Sequence, residues 1–282
     1  MSISIAHTLT VDDLLRGDIQ LASPPAIYFA LNNVIDDPHK SIQDAALVIE
    51  SDAALAVKLL KIVNSAFFGF PAQINSIAKA ITLIGSRELR NLALATVIVE
   101  RFSDLPGQMF SMHDFWSKNL RAALIARELD LVLGKNYAET AFLCGLVHNI
   151  GQLVLYRRIP VLAREVDLLL QSQRPGEDDE CNIEQDVIGF DHYQVGARLC
   201  QLWNLPEEVV ESIALHNDAD RMAPYTDIAS ITRLAHHLAK IDNPFDAMAA
   251  NGFELAPEQL AVILDRCHEE FEVLFKVFYP PQ

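Results

Sequence analysis

The residues of this 282-residue sequence best suited to chemistry are its histidines. His148 lies in the run Gly145-Leu146-Val147-His148-Asn149-Ile150-Gly151, at the C-terminal end of an apolar helical pattern. His192 falls one residue into a capped pattern, Phe190-Asp191-His192-Tyr193-Gln194. His216 ends the pattern that starts at Pro206, and His236-His237 sit within the one that starts at Asp227. Imidazoles delivered by separate helices can converge on one transition-metal ion in a helical protein. The macrodipole alone also favours a histidine at a helix C-terminus, so placement by itself does not establish a ligand.

Other reactive patterns are sparse. The sequence contains no G-x-x-x-x-G-K-[ST] or G-x-G-x-x-G loop to cradle phosphates and no G-x-S-x-G nucleophile elbow. Ser65, in Asn64-Ser65-Ala66, reads as a helix terminator rather than a nucleophile. Lys58, Lys61, Lys79, Arg87 and Arg90 form the one basic concentration. With Asn64, which is expected to help end its helix, they make a candidate surface for a partner or a small anionic ligand. Phe67, Phe68 and Phe70 crowd a turn before Pro71 and read as core or lobe-interface anchors. The run Glu177-Asp178-Asp179-Glu180 reads as a solvated loop.

The elements that must position these groups are helices. Apolar residues recur at three- and four-residue spacing almost throughout, and alternating strand patterns are nearly absent. Pro24-Pro25 opens a segment to Ile35, Ser41 with Asp44 caps 42–50, and Asp52 caps 53–64. Ser76 begins 77–84, stopped by Gly85, and Ser86 begins 87–102. Pro106-Gly107 is the strongest break and sets the expected lobe boundary. Beyond it come 114–133, closed by Gly134, then 141–150, capped by Asn136 with Glu139 and stopped at Gly151. A helix at 160–171, an exposed loop at 173–182, and helices at 191–203, 206–216, 227–240 and 257–278 complete the reading. The fold class is all-α, about a dozen helices in two abutting lobes. The divisions are 1–105, 106–250 and a C-terminal helical segment, 251–282, packed on the rest.

Composition narrows the function classes. With 51% hydrophobic and 21% charged residues, intrinsic disorder is excluded. A net charge of −16 repels phosphate backbones and anionic lipid, so neither a nucleic-acid partner nor membrane insertion is expected. Residues 1–110 carry 8 basic and 11 acidic side chains, so most of the negative charge lies in the remainder. Met1 to Asp13 lacks the basic start and apolar centre of a signal peptide, and the four cysteines form no C-x-x-C pair. A reduced, cytoplasmic setting is the expectation.

Residues 141–151, Ala-Phe-Leu-Cys-Gly-Leu-Val-His-Asn-Ile-Gly, resemble the G-L-L-H-D-I-G segment of the HD superfamily of metal-dependent phosphohydrolases. The stretches Ile49–Leu55, Lys58–Ala66, Ile74–Gly85 and Leu89-Arg90-Asn91-Leu92 are similar to the signature helices of the HDOD family, bacterial relatives regarded as signalling modules without a complete metal centre. The resemblance implies an HD-like helical bundle in the second lobe. It places the first HD histidine on Lys118, the His-Asp pair on His148-Asn149 and the late aspartate on His236. His192 and His216 match accessory histidines of the cyclic-dinucleotide phosphodiesterase branch, HD-GYP, and the second residue of its His-His pair is Asn217.

A two-metal phosphohydrolase needs carboxylates to hold hard cations ~3.5–4 Å apart. An amide at Asn149 bridges cations badly, and a protonated Lys118 donates no lone pair. The resemblance therefore implies a non-catalytic regulatory module that works through protein partners, with a small anionic ligand as an option. A divergent phosphohydrolase acting on a nucleotide or cyclic dinucleotide is the alternative. No cofactor is expected beyond a single divalent ion, and the set that the resemblance leaves to hold one is His148, His192 and His216.

Overall fold

The computed structural model describes residues 9–18, 21, 23–103, 111–172, 180–217, 226–240 and 255–279. Among these residues every regular element is an α-helix. The first group is α1 (Val11–Leu15), α2 (Ala26–Ile35), α3 (Ile42–Glu50), α4 (Ala53–Val63), α5 (Ile77–Ile84) and α6 (Ser86–Arg101). The second group begins with α7 (Met112–Leu133), α8 (Ala138–Val147), α9 (Ile150–Arg158) and α10 (Pro160–Ser172). It continues with α11 (Glu180–Ile188), α12 (His192–Leu202), α13 (Glu207–Ala214), α14 (Thr226–Lys240) and α15 (Pro257–Phe278).

Caps set many of these boundaries. Ser41 with Asp44, and Asp191 with Gln194, form reciprocal capping boxes at α3 and α12. The Asp52 carboxylate accepts the Leu55 N–H at 3.0 Å, and the Ser76 hydroxyl accepts the Lys79 N–H at 3.2 Å.

Three expected boundaries differ. Asn136 does not cap α8: it sits at φ +66°, and the helix begins two residues later, tied back by Tyr137 N–H to Asp130 Oδ2 at 2.8 Å. Gly151 does not stop a helix but lies in the first turn of α9, the break having come at His148-Asn149. Residues 180–182 are helical, because α11 starts at Glu180. Pro106-Gly107 and residues 173–179 lie outside the described residues.

In the first lobe α3 packs on α2, α4 and α5, and α6 covers α2, α4 and α5. In the second, α7 lies against α8 and α14, while α9 packs on α10 and α12, and α12 on α13. One continuous apolar core runs through both. The stretch Ala138–Arg158 is long and apolar enough to cross a membrane by composition, but 83% of its most apolar window is buried here. The lobes are locked by α6 against α8 and by α15, which touches α7, α4 and α6. The aromatic turn contributes as well: Phe67 meets Phe142 of α8 edge-on at 5.3 Å, and the Arg127 guanidinium lies 4.0 Å over the Phe67 ring.

Helix α1 departs from the order of the chain. It packs on α9 and α12 rather than on α2–α6. Arg158 donates to the Leu14 carbonyl at 2.7 Å and the Arg16 carbonyl at 2.9 Å, while Arg198 pairs with Asp12 at 2.7 Å. The Trp203 indole N–H, buried, donates to the Leu21 carbonyl at 2.8 Å.

Asn64 does more than end α4. Its amide donates to the Leu60 carbonyl at 2.8 Å and the Ile74 carbonyl at 2.7 Å, and accepts the Ile74 N–H at 2.7 Å. It thus pins the far end of the aromatic turn to the helix. Net hydrogen-bond contributions of ~0.5–1.5 kcal/mol each lead us to expect Asn64→Ala to cost about 2 kcal/mol in urea unfolding, with Asn64→Asp also destabilising because it loses both donated bonds. A change within error for both would show that the turn holds without the clamp.

Candidate functional site

Three of the histidines meet at the centre of the second lobe. His148 ends α8, His216 follows α13 and His236 lies midway along α14, and all three are buried. One ligand nitrogen from each lies within 4.8 Å of the other two. The His148 and His216 rings stack at 5.0 Å, and the His236 ring stands edge-on to both, at 4.8 and 5.2 Å.

Their hydrogen bonds fix the proton positions. His148 Nδ1 is 2.8 Å from the Gly145 carbonyl oxygen, which can only accept, so Nδ1 carries the hydrogen. Burial pushes His148 down to about 3 and holds His216 and His236 well below the ordinary imidazole value, so all three rings are neutral at neutral pH. His148 Nε2 is therefore a lone pair, and His236 Nδ1, 2.6 Å away, donates to it. His216 Nδ1 is buried with no hydrogen-bond partner.

His192, expected alongside His148 and His216, stands apart from this trio. The Tyr193 ring lies 4.0 Å from His192 and 4.4 Å from His216, stacked on the latter. His192 instead engages Glu184 of α11, whose Oε2 accepts from its Nδ1 at 2.7 Å and its backbone N–H at 2.8 Å. Burial alone would lower the His192 pKa, but the charge and hydrogen bond of Glu184 outweigh it and raise the value. Cys181 completes this second group, its sulfur accepting from the Asn217 amide at 2.6 Å. Structure thus brings together two of the three expected ligands and adds His236.

Asn149, beside the trio, donates to Asn119 Oδ1 at 3.2 Å, and its own Oδ1 is buried without a partner. These two amides line a cleft of about 340 Å³ together with Lys118, Gln152, Tyr156 and Lys240. Lys118 is exposed at this cleft, whereas Asn119, one position on, is the α7 residue that packs against Asn149. Spacing alone does not decide between them, since 118 and 119 stand three and four residues past buried Phe115, both stripe positions of a helix. Nothing in the sequence singles out Glu184, an acidic residue buried within an ordinary short helix.

The basic concentration disperses on folding. Lys61, Lys79 and Arg87 are exposed, Lys58 pairs with Glu100, and Asn64 is engaged with Ile74. Arg90 turns inward, donating to Asn32 Oδ1 at 3.0 Å. All four cysteines are buried thiols rather than disulfides, and burial pushes the Cys144 thiol up to about 12.

Known proteins share this architecture. A chain from Shewanella amazonensis SB2B, provisionally assigned as a phosphohydrolase, superposes with a TM-score of 0.75 at 24% identity, over 95% of this chain and 96% of its own. An HDOD domain protein of unknown function from Geobacter sulfurreducens gives 0.67 at 20% identity, with 92% of each chain covered. An uncharacterised Treponema pallidum (strain Nichols) protein is 28% identical over 198 residues, 69% of this chain, which spans 37% of that relative's length. The HDOD domain itself matches residues 21–219, a span that takes in the Asn64 clamp, the 145–151 segment, the Glu184–His192 pair and His216. The chain therefore belongs to the HDOD family.

Proposed function

We propose that this protein is a non-catalytic signal-transduction module that acts through protein contacts. What supports the reading is the donor chemistry of the cleft. The trio of His148, His216 and His236 contains no carboxylate, and the group next to it is the Asn149 amide. Hydrolysis of a phosphoester by two hard cations needs bridging anionic oxygens, and neutral imidazoles with an amide supply none. The carboxylates at the cleft, Asp114, Asp167 and Glu180, are engaged by the His113 ring, the Tyr156 hydroxyl and the Gln152 amide.

One observation favours a second reading, a divergent metal-dependent phosphohydrolase: three neutral imidazoles converge, and His216 Nδ1 is an orphaned buried atom. The set fits a single borderline ion such as Zn²⁺, held by His148, His216 and His236, with the Gly145 carbonyl orienting the first ring. It does not fit a carboxylate-bridged pair. The full chain should show no turnover of bis(p-nitrophenyl) phosphate or a cyclic dinucleotide with added Mn²⁺, Fe²⁺ or Mg²⁺. Turnover that disappears in His148→Ala would make the protein an enzyme. Elemental analysis after chelator-free purification gives the ion directly, and metal lost in His216→Gln would assign it to the trio.

A further inference from the structure

A second cleft, of about 330 Å³, opens on the seam between the lobes, away from the histidines. The first lobe contributes Asp36, just past α2, and Arg87, Arg90 and Asn91 from α6. The second contributes Thr140 of α8 and Glu208 of α13. Two of these residues are unusual. Arg90 is 9% exposed, yet its Nε is buried without a hydrogen-bond partner, Nη1 alone reaching Asn32. Asn91 is 5% exposed, and while its amide nitrogen reaches Thr140 at 3.5 Å, its Oδ1 has no partner.

Buried polar atoms left unsatisfied cost roughly 1–3 kcal/mol each, and here two of them belong to adjacent side chains that line one cleft. The two orphans have opposite demands. Arg90 Nε offers a charged donor, beside the exposed cation of Arg87, so that corner takes an anion. Asn91 Oδ1 needs a donor, and Asp36 and Glu208 are acceptors of the same kind. The first turn of α6 is left out of this balance, because the Glu88 carboxylate already lies over Gly85 at its start. Ile35 and Pro206 give apolar wall. The volume is at the lower end of ligand pockets, ~300–1,000 Å³, and suits a small molecule.

We infer that this inter-lobe cleft binds a small phosphate monoester that also carries hydroxyl or amine donors, the phosphate on Arg87 and Arg90 and the donors on Asn91 and the acidic side. Two positive guanidinium groups favour a phosphate dianion over a single carboxylate. Because its walls come from α2 and α6 on one side and α8 and α13 on the other, the ligand joins the lobes. It uses no residue of the histidine cleft, so the phosphoesterase and metal assays are independent of it.

Calorimetric titration of the full chain with ribose 5-phosphate, O-phosphoethanolamine, inorganic phosphate and ribose tests the assignment. One of the two esters is expected to bind saturably at one site per chain, at least tenfold tighter than inorganic phosphate, with ribose silent. Exposed Arg87→Ala should weaken it at least tenfold, as should Arg90→Gln; if the latter misfolds, Thr140→Val and Asn91→Asp replace it. Absence of binding by both esters at millimolar concentration overturns the proposal. So does binding that survives Arg87→Ala and Asn91→Asp together, or that is lost in His148→Gln while Arg87→Ala leaves it intact, which would move the ligand to the histidine cleft.

Discussion

Replacing Gly151 by alanine is expected to destabilise the protein by about 3 kcal/mol or more, upwards of about 6 °C in melting temperature for a chain of this size. A β-carbon at this position would fall on the His192 carbonyl oxygen, within 2.7 Å of its carbonyl carbon and 2.8 Å of the Gly196 nitrogen. These are backbone atoms of α12, so no side chain can swing aside, and α9 and α12 must separate. Gly145 is similar: a β-carbon there would lie 2.6 Å from the Ala123 Cα on α7. Gly134→Ala is the reference, for although Gly134 has φ +65°, nothing lies within 4 Å, and only the left-handed backbone cost of about 1 kcal/mol applies. A Gly151→Ala protein that melts with the Gly134→Ala protein would mean that the α9–α12 contact is looser than described.

That glycine also marks where the sequence was legible and where it was not. Helices with strong caps were readable to within a residue, as at Ser41, Asp52 and Ser76, because the capping side chain and the orphaned N–H lie within one turn of sequence. Gly151 read as a stop because glycine usually ends helices. Here its lack of a side chain serves a neighbour 41 positions away, and close approach of two backbones leaves no local mark. The site shows the same division. His148, His216 and His236 were all visible as candidates. Which of them meet depended on Tyr193 filling the space between His192 and His216 and on Glu184 drawing His192 aside. Arg90 counted as part of a basic surface from composition alone, whereas its helix register turns it into the lobe seam.

Acid should weaken the fold through the histidine trio well before carboxylates titrate. Each of the three rings has its folded pKa lowered from 6.5, primarily by burial, so the unfolded chain binds protons that the folded one refuses. Stability is then full above about 6.5 and falls as the pH drops toward the folded values. At ~1.4 kcal/mol per pH unit and proton, His148 alone removes about 2 kcal/mol between pH 6.5 and 5, and His216 and His236 act in the same direction. His192 acts oppositely: its raised pKa gives stability that is complete below 6.5 and lost as pH rises through the folded value. Asp130 and Glu139, raised by burial, also gain on acidification, though at lower pH. Comparison with His236→Gln cancels these other groups. Urea unfolding with chelator at pH 7, 6 and 5 should give a slope shallower in the variant than in the parent by up to one proton. Parallel profiles would place the ring protons elsewhere.

The docking of α1 has a consequence for the order in which the molecule can be made. On the ribosome, Leu14 and Leu15 emerge well before their seat, which is formed by α9 and α12, some 140 to 185 residues later. During most of synthesis this short helix has no partner, and the first lobe can only condense without it. Closure of the N-terminal segment therefore belongs to the end of folding, after release of the second lobe, as a slow long-range step. A nascent chain arrested before residue 150 should leave the segment open to protease, and one arrested late enough to free α12 should protect it.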